Sequence, residues 1–148
     1  MSRPEPLTRD DFSHFVDLTT RWADNDIYGH VNNVMYYSYF DTTANHYLIH
    51  EGGLDIHNGQ IIGLVVDSGC SYFAPVAFPD RLEGALRVLH LGKSSVRYQI
   101  AIFRREEHTA VAQGHFVHVF VDRTNRTPVE IPFGLRTALS KLQTDVVA

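Results

Sequence analysis

The densest run of chemically capable residues is Arg21-Trp22-Ala23-Asp24-Asn25-Asp26-Ile27-Tyr28-Gly29-His30-Val31-Asn32-Asn33. Two carboxylates (Asp24, Asp26), one imidazole (His30) and the amides Asn32 and Asn33 stand directly before a segment with helical spacing. The first turn of a helix carries N–H groups without internal acceptors and a partial positive charge. It therefore suits an oxygen that is gaining negative charge. A carboxylate beside such donors can add to a carbonyl, or activate water against it, while the donors hold the carbonyl oxygen. The plainer alternative is that these residues cap the helix and solvate a loop, as Asn and Asp do in many turns.

The flanking elements decide whether such a cluster is held in place. From His14 to Trp22 the residues alternate, with Val16, Leu18, Thr20 and Trp22 on one face, which predicts a half-buried strand. Residues Asn33 to His50 contain no Gly or Pro, and Tyr36, Tyr39, Phe40, Tyr47 and Leu48 fall on one helical stripe. Asn32 or Asn33 can cap that helix, and Gly52-Gly53 ends it. Ile61 to Phe73 is apolar enough to predict a strand buried on both faces, ended by Pro75 and Pro79. Alternating strands follow over Leu82–Leu89, Ser95–Phe103 and Val111–Val121, and Ile131 to Leu142 can form a short terminal helix. Strands do not alternate with helices, so the layout is α+β rather than a βαβ nucleotide fold. An antiparallel sheet wrapped on one central helix buries both apolar faces.

The chain of 148 residues reads as one domain over 1–148, with its core over about 12–142. A net charge of -4 gives no basic footprint for nucleic acid. The single Cys70 excludes an intrachain disulfide and a cysteine-based zinc site. The opening Met1-Ser-Arg-Pro-Glu-Pro lacks the apolar core of a secretion signal, and no apolar run approaches a membrane span. The expectation is a soluble cytoplasmic protein.

Residues 21 to 41 follow the pattern Arg-Trp-x-Asp-x-Asp-x-x-Gly-His-Val-Asn-Asn-x-x-Tyr-x-x-Tyr-Phe-Asp. This resembles the signature of the 4-hydroxybenzoyl-CoA thioesterase family, and the element order agrees from about Phe12 to Leu142. Tyr72-Phe73-Ala74-Pro75-x-x-Phe78-x-Asp80 and Gly92-Lys93-Ser94 also fit. The resemblance implies the hotdog fold and hydrolysis of an acyl-CoA thioester to acid and CoA. It implies Asp26 as nucleophile or general base, and a backbone N–H near Asn33 as the group that polarises the carbonyl. His30 can orient water or Asp26, or simply cap; Asp24 reads as a structural partner of Arg21.

The resemblance further implies that Lys93, Ser94 and Ser95 contact CoA phosphates, often those bound at a neighbouring subunit. Against that, Gly92-Lys93 can be a hairpin turn with a solvated lysine. Arg87, Arg97 and Arg104 are weaker candidates for the same task. Tyr36 opens the helical stripe beside the site and is the tyrosine best placed to touch substrate. Family members pair their sheets, so a homodimer or homotetramer is expected, with CoA as part of the substrate and no metal or redox cofactor.

Other signals fail on spacing. A phosphate loop ending at Gly92-Lys93-Ser94 would need glycine where Arg87 stands. A calcium loop from Asp24 would need a ligand at Tyr28 and an acid at Met35. No Gly-x-Ser-x-Gly elbow occurs. Cys70 reads as a buried strand thiol, and His115 and His118 as residues on opposite strand faces. Two rivals share the fold: a hydratase or dehydratase, whose Asp-x-Asn-Pro-x-His pattern is not matched, and an acyl-thioester binding module without turnover.

Overall fold

A computed structural model describes residues 4–144. The leader reading at Met1–Arg3 and the two ends of the expected 1–148 domain therefore lie outside the described residues. The elements are β1 (His14–Thr19), α1 (Met35–His50), β2 (Ile61–Tyr72), β3 (Arg81–Leu91), β4 (Ser95–Arg104), β5 (Ala112–Asp122) and α2 (Phe133–Ser140). All five strands form one antiparallel sheet in the order β1-β3-β4-β5-β2, wrapped on α1 in the hotdog arrangement.

The helical stripe is the reason α1 sits inside the sheet. Tyr36, Tyr39, Phe40, Tyr47 and Leu48 are all buried, joined by Thr43 and Ala44. They meet the inward strand faces through Leu82, Leu86, Tyr98, Ile100, Ile102, Phe116 and Phe120. Contact is close enough that a Cβ on Gly114 would overlap the Gly69 carbonyl and the Phe40 ring. The thin outer layer of the sheet carries a second cluster of Phe12, Ala85, Ala101, Phe103 and Ala110. α2 closes one end through Leu135, Ala138 and Leu139, and the Tyr47 hydroxyl donates to the Ala138 carbonyl at 2.5 Å.

Three expectations need correction. The alternation from His14 holds through Thr20, but Trp22 is 76% exposed. Arg21 N–H donates to the Asp24 carboxylate, and a tight turn over Trp22–Asp24 replaces the strand, so the two-residue period ends there. β2 is not buried on both faces: it lies last in the sheet order, pairs with β5 as its one strand neighbour among the described residues, and is exposed from Val65 to Ser68. The helix begins at Met35 rather than Asn33, because Asn32 and Asn33 form the turn that leads into it.

Candidate active site

The turn between β1 and α1 is built from its own polar side chains. Asp24 is 1% exposed and is the anchor. Its carboxylate accepts from the Tyr39 hydroxyl at 2.8 Å, from Arg21 N–H at 3.0 Å and from the Arg21 guanidinium at 2.9–3.0 Å. Burial raises the Asp24 pKa, but these hydrogen bonds outweigh it and hold the group below the usual carboxylate value. The structural role read for Asp24 with Arg21 is thus observed, with Tyr39 added.

Asp26 opens the tip of the turn. Its N–H donates to the His30 carbonyl at 2.8 Å, and its carbonyl accepts from Gly29 at 3.1 Å. Gly29 has φ of 82°, the left-handed region that glycine enters without strain. The Asp26 Oδ1 accepts from Tyr28 N–H at 2.9 Å, which leaves Oδ2 without a donor among the described residues. The side chain is half-buried and faces a cleft of about 420 Å³, shared with His30, Asn33, Tyr36, Tyr72 and Phe73.

The backbone amides at the helix start divide sharply. Val31 N–H donates to Val76 O at 2.8 Å and Asn32 N–H to Asp24 O at 2.8 Å. Val34 N–H donates to the Asn32 side-chain oxygen at 3.0 Å, and Met35 N–H to Asn32 O at 2.9 Å. Tyr36 N–H donates to Asn33 O at 3.3 Å and Tyr37 N–H to Val34 O at 3.2 Å. Only Asn33 N–H, in the run from Val31 to Tyr37, has no acceptor among the described residues. Asn33 lines the cleft that holds Asp26. A free N–H at the positive end of a 16-residue helix is a prepared donor for an oxyanion.

Two tyrosines close the cleft from below. The Tyr72 hydroxyl donates to Asn33 O at 3.2 Å, so the last residue of β2 pins the turn that presents the free amide. Tyr36 packs edge-to-face on Tyr72 with ring centroids 5.1 Å apart. Burial pushes the Tyr36 phenol up to about 12, so it is a neutral hydrogen-bonding group. Burial likewise pushes the Cys70 thiol up to about 11, a poor setting for a nucleophile.

The cleft brings together Asp26, His30, Asn33 and Tyr36, four of the residues singled out in the sequence. His30 is exposed there, and its ring makes no hydrogen bond within the described residues. Lys93, Ser94 and Ser95 are elsewhere, in the β3–β4 turn, where Gly92 N–H donates to Ser95 O at 2.8 Å. Arg104, at the other end of β4, donates to Pro75 O on the cleft wall at 2.7 Å. Nine strand steps separate Ser95 from Arg104, roughly 30 Å. A single chain therefore does not bring Lys93 to its own cleft.

Of the arginines, Arg87 is occupied by Gln99 and lies over the Phe12 ring, and Arg97 stands 3.9 Å from Asp67. His118 is inside the core against Tyr98, whereas His115 is outside against Asp67 at 2.9 Å, on opposite faces as read. Among the described residues no group of three or more His, Cys, Asp or Glu is arranged to hold a metal ion. Among the described residues no helix is long and apolar enough to cross a membrane. Sequence reasoning missed Tyr39 and Tyr72 as supports of the turn. Tyr39 carried a usable signal, since it lies on the helix stripe one turn from Tyr36, but Tyr72 is linked to Asn33 only through the fold.

Comparison with known proteins finds the same fold and a family. The family model for the thioesterase-like superfamily matches residues 20–139. The solved structure of the PA5185 protein from Pseudomonas aeruginosa is 56% identical, with TM-score 0.94, covering 96% of this chain and 99% of that one. A 1,4-dihydroxy-2-naphthoyl-CoA thioesterase from Synechocystis shares the fold at 21% identity, with TM-score 0.77 over 86% and 96% of the two chains. A DHNA-CoA thioesterase from Staphylococcus aureus does so at 20% identity, with TM-score 0.76 over 86% and 88%. No curated protein matches. With the family model spanning the polar turn, α1 and the four strands β2 to β5, the chain belongs to the thioesterase-like superfamily.

Proposed function

We propose that this protein hydrolyses an acyl-CoA thioester to the free carboxylic acid and CoA, with Asp26 as the acting carboxylate. The observation that carries this is that one cleft is lined by a carboxylate oxygen without a donor and a residue whose helix-start N–H lacks an acceptor, both among the described residues. The thioester carbonyl oxygen takes the Asn33 N–H, which stabilises the negative charge as the carbon becomes tetrahedral. One such donor is worth about 2.7–4 kcal/mol of barrier in other acyl-transfer enzymes.

Asp26 then acts in one of two ways. As general base it takes a proton from water, whose oxygen bonds to the acyl carbon. As nucleophile it forms an acyl–aspartyl anhydride that water opens. In both, the C–S bond breaks, the thiolate leaves and is protonated to CoA, and the acid is released. In this proposal His30 orders the water and Tyr36 lines the bound acyl group; both line the cleft. Neither route calls on a metal or redox cofactor.

The assembly belongs to the same proposal. β2 lies last in the sheet order, with no second strand neighbour among the described residues, and Val65 is 45% and Val66 60% exposed at its centre. A long apolar edge strand is a template for strand pairing. A second copy in register there gives a homodimer, or the half of a homotetramer, and carries Lys93, Ser94 and Ser95 into a neighbour's reach. Sedimentation at micromolar protein gives a dimer mass or twice it; a monomer mass refutes the pairing.

Thiol release is the direct test, measured over short, long and aromatic acyl-CoAs beside Asp26→Asn. The variant keeps the side-chain shape and loses the charge, and its rate falls at least about 100-fold. Near-full activity in Asp26→Asn removes Asp26 from the chemistry. Disappearance of an enoyl-CoA without thiol release would point instead to hydration.

A further inference from the structure

We infer that Asn25 is a positioning residue for the hydrolysis: its side-chain oxygen fixes the turn that carries Asp26 against the segment that walls the cleft. This rests on the reading of Asp26 as the acting carboxylate.

Asp26 lies just beyond an antiparallel bridge between Asn25 and Val31, which closes a short hairpin. Ile27, Tyr28, Gly29 and His30 at its tip are exposed, so burial of the tip does not hold it still. Two bonds tie the arms of the hairpin to the connection between β2 and β3. Val31 N–H donates to Val76 O at 2.8 Å from one arm, and Phe78 N–H donates to Asn25 Oδ1 at 3.0 Å on the other. One such bond is a pivot; two, made by facing residues of the bridge, set the angle of the hairpin as well as its distance. The Asn25 backbone N–H is used elsewhere, donating to Trp22 O at 3.3 Å, so the side chain makes the second attachment. The Trp22 and Phe78 rings meet edge-to-face at the same junction, with centroids 6.1 Å apart.

The connection is a firm reference for the turn. Phe73 and Ala74 N–H both donate to Val111 O, at 2.8 and 3.2 Å, and the Arg104 guanidinium donates to Pro75 O at 2.7 Å. The Asp80 carboxylate accepts from Ala77 N–H at 3.1 Å and lies 3.5 Å from Arg104. The Asp80 carbonyl accepts from the Thr20 hydroxyl at 2.6 Å.

Phe73, Ala74 and Pro75 of the same segment line the Asp26 cleft. The segment that shapes the cleft is thus the one against which Asn25 sets the carboxylate. A reacting group held about 3–3.5 Å from its target loses rate steeply when displaced, on the order of 100-fold for 1 Å. Asn25 itself does not line the cleft, so it acts through the place it gives Asp26, and its loss is felt in kcat rather than KM.

Thiol release from butyryl-, palmitoyl- and benzoyl-CoA, and amide hydrogen exchange read residue by residue, test this on the full chain. Asn25→Ala lowers kcat about tenfold with KM within about twofold. It also speeds exchange of the Phe78 and Val31 amides about fivefold, because the turn loses one of its two attachments. Asn25→Asp keeps an accepting oxygen and returns kcat and both exchange rates to near the wild-type values. The inference is overturned if Asn25→Ala keeps the wild-type kcat while Asp26→Asn loses it, if KM alone changes, if Val31 exchange stays the same, or if Asn25→Asp restores neither readout. Full activity in Asp26→Asn, or no thiol release by the wild type, instead removes the hydrolase reading; Val31 exchange in Asn25→Ala then decides by itself whether Asn25 holds the turn.

Discussion

Tyr39→Phe removes one oxygen atom and tests whether the Asp24 anchor holds the catalytic turn. The ring is 5% exposed and stays packed against Tyr36, so the change leaves the core filled. What is lost is the 2.8 Å hydrogen bond from a phenol to a buried carboxylate. Hydrogen bonds to charged groups contribute about 1.5–3 kcal/mol. Asp24 keeps its Arg21 donors, so neither carboxylate oxygen is orphaned and the expected loss is near the lower end, about 2 kcal/mol. For a chain of this size that lowers Tm by about 4–8 °C.

The loss has a defined pH dependence. The Asp24 pKa is held below its unfolded value, and Tyr39 is one of the hydrogen bonds that hold it there. A depressed carboxylate stabilises the fold above its unfolded pKa, and that contribution disappears as pH falls through the folded value. The gap between wild type and Tyr39→Phe is therefore full at pH 7 and narrows below about pH 4. Urea unfolding of both proteins at pH 7 and pH 3, at one fixed protein concentration, measures it. Because Asp24 O also accepts Asn32 N–H, the turn slackens and kcat falls with stability. Equal stability at pH 7, or a gap of the same size at pH 3, refutes the anchoring role.

Other perturbations follow from the same contacts. Tyr72→Phe removes the bond to Asn33 O and lowers kcat about fivefold with KM within twofold, a net effect of about 1 kcal/mol on the turn; a change in KM alone shows a substrate contact instead. Gly114→Ala places a methyl into the Gly69 carbonyl and the Phe40 ring, and lowers stability in urea by about 3 kcal/mol; a neutral result means the sheet and α1 separate freely. His118 is 2% exposed, and burial pushes its pKa down to about 4 from 6.5. Its stabilisation is thus complete above about pH 6.5 and lost as pH falls towards 4, roughly 3 kcal/mol in all. His118→Phe flattens that slope in unfolding experiments run between pH 4 and 7, and an unchanged slope assigns it to another group.

The local parts of this protein are written in neighbouring residues. The Tyr36, Tyr39, Phe40, Tyr47 and Leu48 stripe predicts α1 because a helix repeats every 3.6 residues whatever surrounds it. The alternation of β3 to β5 and the density of polar residues before α1 are legible for the same reason, and so is the cluster around Asp26. The tertiary structure decided what no local pattern contains. Asn33 holds the unpaired amide because Val31 and Asn32 donate to Val76 and Asp24, and Tyr72 arrives from the end of β2 to pin it. An apolar run such as β2 does not say whether its second edge is covered by this chain or left open. Lys93 stands a strand's length from the cleft, at the far end of β4. Secondary structure follows from short-range sterics and periodicity; which donors stay unpaired depends on contacts between distant segments, and those exist only once the sheet has closed on its helix.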